Sequence, residues 1–172
     1  MRWVFLLITL LAGTAHSATN EPVIKDFGLF YPVPDSDPIG QDMHFKIAFD
    51  VASGAPVGEQ NNHINSLARF INMHVAHGVN PKNIALALVV HGDATQDVLK
   101  SSEYQARFAA DNANASLIRQ LLANNTQVYV CGQSAKHNNI NAKQLLPGVR
   151  MALSAMTAHA QLQQQGYTLN PF

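Results

Sequence analysis

The sequence predicts the α/β class: a three-layer α/β/α sandwich around a mainly parallel sheet of about five strands. Three observations predict it. From His44 onward, short apolar segments alternate with amphipathic helical ones, the order expected of right-handed crossover units. Residues 84–90 (IALALVV) are apolar on both faces and too short for a helix, as befits a strand covered on both sides. At 172 residues the chain has room for one domain, at roughly 150 residues per domain.

The elements follow in order. Residues 19–41 hold four prolines and read as an extended, turn-rich arm. Phe27, Leu29, Phe30 and Tyr31 within it are expected to dock on the domain or on a neighbouring subunit. Residues 44–51 (HFKIAFDV) alternate as a strand. Ile64, Leu67, Ala68, Ile71 and Val75 recur at spacings of three and four, which marks a helix ended by Gly78 and Pro81. After the second strand, Thr95, Ser102 and Asn114 are each placed to cap a helix. Residues 127–130 form the third strand, stopped at Cys131-Gly132, and residues 149–153 the fourth. Ser154 caps a last helix to Gln165, Gly166 ends it, and residues 167–169 add a short fifth strand.

Composition excludes several functions. Lys plus Arg equals Asp plus Glu at 11 each, and charged residues make up 13% of the chain against about 25% in an average domain. Such a surface has no basic stripe for nucleic acid. The first seventeen residues read as a secretory signal peptide: Arg2, an apolar run over residues 3–12, and small residues at Ala15 and Ser17. That run is too short for the roughly 20 residues of a spanning helix. The expected organisation is therefore a signal peptide over residues 1–17, a proline-rich arm over 18–43 and an α/β domain over 44–172. The mature protein is expected to be soluble, periplasmic and without a membrane span. One cysteine, Cys131, cannot form an intramolecular disulfide.

Ligands of open parallel sheets gather beyond the carboxyl ends of the strands. Three punctuated loops begin there: Ser53-Gly54-Ala55, His91-Gly92-Asp93-Ala94-Thr95 and Cys131-Gly132-Gln133-Ser134. Ser53, Gly54, Gly92, Gly132, Gln133 and Ser134 are accordingly the candidate ligand-binding residues. Cys131 precedes a stretch able to turn helical, where free N–H groups and the helix dipole would favour a thiolate. It could equally be a small buried hydrophobe. His91 could orient the thiol or a ligand, or simply satisfy a turn carbonyl. His74 and His77 share a helix face, but no zinc pattern is present, and no metal or cofactor is expected. His44, His63, His137 and His159 read as surface or cap residues. Dinucleotide, Walker and serine-hydrolase motifs are missing from the sequence.

The segments FDVASG (residues 49–54), LVVHGDAT (88–95), VYVCGQSAKHNNI (128–140) and LLPGVRMALSAMTAHAQLQQQGYTLNPF (145–172) together resemble the DsrE/DsrF-like, or YchN-like, family. They are most similar to its secreted bacterial branch. The resemblance implies a five-stranded parallel sheet, assembly as a homo-oligomer (trimer or hexamer) or a mixed hexamer, and work in sulfur relay. It also implies a persulfide on the cysteine ending the third strand, the position of Cys131, passed to or from a partner protein. Ser134 stands where some members have a second cysteine, and Asn138-Asn139 where many have Arg-Gly; Lys136 or His137 would then have to supply the missing cation. Two functions follow as expectations. One is a periplasmic sulfur or persulfide carrier working without turnover chemistry, and the other an oligomeric binding module with an inert, packed Cys131.

Overall fold

In the computed structural model, which describes residues 21–170, five strands form one sheet in the order β4-β3-β2-β1-β5, every neighbouring pair parallel. The strands are β1 (Phe45–Val51), β2 (Ile84–Val90), β3 (Thr126–Cys131), β4 (Arg150–Ala152) and β5 (Thr168–Asn170). Five α-helices connect them: α1 (Asn62–Ala76), α2 (Ser101–Phe108), α3 (Ala115–Ala123), α4 (Gly132–His137) and α5 (Ala155–Gln164). The expected signal peptide lies outside the described residues.

Strand order dictates the layers. From β1 to β4 the chain steps across the sheet in one direction, so right-handed crossovers put the intervening helices on one face. The last step, from β4 back to β5 beyond β1, runs the other way and carries α5 to the opposite face. The packing agrees. Phe49, Val51, Leu86, Leu88, Val128 and Val130 face the large core built with α1 and α3, while Ala48, Ala87 and Val89 meet Ala158 and Leu162 of α5. This alternation along each strand is the period-two consequence of the pleat. β2 sits in the middle of the sheet, and Leu86 to Val90 are all buried, which is why it carries no polar side chain.

The arm docks through Ile24 and Gly28 as well as through part of the expected apolar set. Ile24 is fully buried and its backbone exchanges hydrogen bonds with the Asn72 side chain of α1 at 2.9 and 3.0 Å. Gly28, at φ +69, lies so close to α1 that a Cβ would stand 2.4 Å from the Ala68 carbonyl carbon. Phe27 packs against the core, whereas Leu29 and Tyr31 project into solvent.

Several caps differ from expectation. Lys100, not Ser102, occupies the cap of α2, and Ser102 lies within the helix. Thr95 lies inside a 3-10 turn over Gly92–Gln96 and bonds the Gly92 carbonyl at 2.8 Å instead of capping. Asn114 does precede α3, but its side chain accepts the Asn61 N–H at 2.7 Å and makes no cap bond. For Thr95 and Asn114 a distant partner, Asn138 Nδ2 and the Asn61 N–H respectively, claims the side-chain oxygen. Ser154 caps α5 as expected, accepting the Thr157 N–H at 3.0 Å. Among the described residues no helix is long and apolar enough to cross a membrane.

Candidate functional site around Cys131

Cys131 is both the last residue of β3 and the cap position of α4. The chain turns here from strand to helix while pressed against β4. A Cβ at Gly132 would fall 2.6 Å from the Ala152 carbonyl oxygen, so only glycine permits that approach. The sulfur, in a residue 5% exposed, is reached by the backbone N–H groups of Ser134, Ala155 and Gln133 and by the Ser134 hydroxyl. Two of these amides belong to the first turn of α4 and one to the first turn of α5, where N–H groups have no partner within the helix. The Ser134 oxygen accepts the Gly92 N–H at 3.0 Å, which leaves its own proton for the sulfur.

These groups decide the thiol's acidity. Burial pushes the Cys131 pKa up, but the Ser134 N–H and hydroxyl and the Ala155 and Gln133 N–H groups together outweigh it, and the thiol lies below its ordinary value. The expected cations do not contribute. Lys136 and His137 are exposed, and Asn138 uses its amide to tie α4 to the preceding loop, at 3.1 Å to the Gly92 carbonyl and 2.8 Å to Thr95 Oγ1. Backbone amides replace a side-chain cation here.

His91 follows β2 in extended conformation, next to Gly92 at φ +53. Val90 pairs with Val130, so His91 and Cys131 occupy the next positions of adjoining strands, whose spacing is about 4.8 Å. Both positions have the parity of Val89 and Tyr129, which face α5. The His91 Nε2–H donates to Asp50 Oδ2 at 3.0 Å. His159 of α5, read from sequence as a surface or cap residue, instead donates from Nε2 to Asp50 Oδ1 at 2.7 Å. Burial raises the Asp50 pKa, but the hydrogen bonds and charges of His91 and His159 bring it below the ordinary carboxylate value.

The remaining sequence-picked residues fall into two groups. Gly132 follows Cys131, Gln133 and Ser134 reach its sulfur, and Gly92 is tied to Ser134 at 3.0 Å. Ser53 and Gly54 form a neighbouring loop packed closely on its surroundings: a Cβ on Gly54 would meet the Asp93 carbonyl oxygen at 2.9 Å, and the Ser53 carbonyl accepts from Asn61 at 2.9 Å. Buried Asp97 steadies that loop, accepting from Asn61 Nδ2 at 2.7 Å and from the Ala55 N–H at 3.2 Å.

Sequence reasoning missed Asp50, Ala155 and His159. A signal for His159 was present, since Ala155, Ala158, His159 and Leu162 recur at the spacing of one helix face. Away from the site, a cavity of about 640 Å³ lies between the arm and the end of α1, lined by Phe27, Leu29, Val75 and neighbours. None of the groups around Cys131 lines it. His74 and His77 each bond a carbonyl of their own helix at 2.7 Å, and His74 stacks on Phe70.

Comparison with known proteins agrees with this fold. The MTH1491 protein of Methanobacterium thermoautotrophicum, a solved structure of unknown function, superposes with TM-score 0.53 at 12% identity, covering 74% of this chain and 99% of that one. The ychN protein of E. coli superposes with TM-score 0.53 at 22% identity, covering 74% of this chain and 100% of that one. No curated protein matches the sequence. The family model described as DsrE/DsrF-like matches residues 46–171, nearly the whole span from β1 to the end of β5. The chain therefore belongs to the DsrE/DsrF-like family.

Proposed function

We propose that this protein is a periplasmic member of the family's secreted branch, exported by residues 1–17, and that it handles sulfur as a single-thiol persulfide carrier. The observation that supports it best is the convergence of three backbone N–H groups and one hydroxyl on the Cys131 sulfur. Such a cradle suits an anionic sulfur and demands no side-chain cation. In the loading step the Cys131 thiolate attacks the outer sulfur of a donor R–S–SH. The donor's S–S bond breaks, R–S⁻ leaves and takes up a proton, and Cys131–S–SH remains. The transferred sulfur later leaves to an acceptor, so the protein is a carrier and not a turnover enzyme. Gly92, Gly132, Gln133 and Ser134 shape the pocket for the anion, with Ser53 and Gly54 on its rim, and no cofactor takes part. Donor or acceptor proteins would meet the strand-end edge of a homotrimer or homohexamer.

The test is intact mass after exposure to polysulfide. A gain of one sulfur that Cys131→Ser abolishes is expected; no adduct on the wild-type protein at neutral pH ends the carrier role. A second reading, an oligomeric binding module with an inert cysteine, draws support from the burial of Cys131. Slow thiol labelling of native protein that becomes fast on unfolding would favour it.

A further inference from the structure

One carboxylate serving two imidazoles is more than the persulfide cradle requires. Each ring binds Asp50 through Nε2, and an ionised carboxylate can only accept. Both Nε2 atoms therefore carry a proton, and in the neutral ring Nδ1 holds the lone pair. Neither Nδ1 has a hydrogen-bond partner among the described residues. The two rings are also carried on elements that adjoin Cys131. His91 neighbours Cys131 in strand register, and His159 lies one helical turn beyond Ala155, whose N–H reaches the sulfur.

We propose that Asp50 holds His91 and His159 as a paired proton acceptor for the thiol reactant that takes sulfur from Cys131. This rests on the carrier reading and extends it to the acceptor side, naming the acceptor class as a neutral thiol. An imidazole Nδ1 removes the proton of R–SH, and the R–S⁻ formed attacks the outer sulfur of Cys131–S–SH. The S–S bond to Cys131 breaks and its electron pair returns to the Cys131 sulfur as thiolate. The product is R–S–SH, and the imidazolium carries the proton. Asp50 is a positioning residue in this scheme, acting through the two rings.

Other ionisable groups on this face are few. Lys46 lies four residues back along β1 and bonds the Gln165 carbonyl at 2.9 Å. Tyr129 of β3 lies under the Arg150 guanidinium of β4, with 4.3 Å from guanidinium carbon to ring centre. Tyr167 bonds Gln127 at 2.8 Å. Apart from Cys131 itself, β2 and α5 contribute only His91 and His159.

The experiment uses the full chain with Cys131 converted to a mixed disulfide with 2-mercaptoethanol, and follows its release by a small monothiol across pH. This reaction makes the same demand for proton removal but needs no sulfane sulfur, so it is read independently of polysulfide loading. Near neutral pH, Asp50→Asn and His159→Gln should each slow release about tenfold or more, general-base help being worth roughly 10²–10⁴. The deficit should vanish at high pH, where the monothiol ionises unaided. The double variant His91→Gln, His159→Gln should show the same deficit near neutral pH and the same recovery at high pH. Unchanged rates, or a deficit that is the same at every pH in folded variants, would overturn the proposal. Failure of polysulfide loading with this pH pattern intact would instead remove the carrier reading alone.

Discussion

At Cys131, burial and hydrogen bonding oppose each other, and the hydrogen bonds prevail. A hydrogen bond to a charged group contributes about 1.5–3 kcal/mol, and a pKa unit corresponds to about 1.4 kcal/mol. Removing one donor should therefore raise the thiol pKa. Ser134→Ala is the direct test, because it deletes the hydroxyl and leaves the Gly92 N–H without its acceptor. The pH profile of iodoacetamide labelling should have its midpoint below the ordinary thiol value in the wild type and move upward in the variant. Coincident profiles would mean that the hydroxyl does not bear on the thiolate.

At the scale of elements, the site is a meeting of two helix starts with three strand ends, and α5 is the part most open to perturbation. Its cap, Ser154, is 7% exposed and bonds the Thr157 N–H at 3.0 Å, immediately before the Ala155 amide that faces the sulfur. Ser154→Ala should cost about 1 kcal/mol, read as a lower urea midpoint. It should also raise the labelling midpoint of a cysteine it does not touch, since a frayed first turn no longer aims the Ala155 N–H. A stability loss without that second effect would show that α5 does not help ionise the thiol. Most elements were legible in the sequence because helix and strand periods are local properties. The caps Thr95 and Ser102 were misread because nothing local reveals that the Gly92 carbonyl and Asn138 claim Thr95, or that α2 starts at Ser101 and leaves Ser102 inside it.

Across the whole molecule, a buried carboxylate sets a pH dependence. Burial raises the Asp97 pKa above 3.8 despite the bonds from Asn61 and Ala55. A group shifted in that direction favours the protonated folded state, so its contribution is full below the ordinary carboxylate pKa and is lost as pH rises through the folded value. Asp97→Asn should therefore gain stability relative to wild type between pH 4 and pH 7. Urea midpoints at the two pH values check this, and a gap that does not change with pH would contradict the shift.

By itself the sequence determined the class, the strand and helix segments, the strand-end position of Cys131 and the resemblance to its family, all of them readable from spacing and motif along the chain. Only the tertiary structure decided that β5 returns to the far side of β1. Right-handed crossover then forces α5 onto the face opposite the other helices. That placement brings the Ala155 amide to the sulfur and His159 to Asp50, 109 residues apart in the chain. Strand order is a property of pairing between distant segments, and no local pattern encodes it.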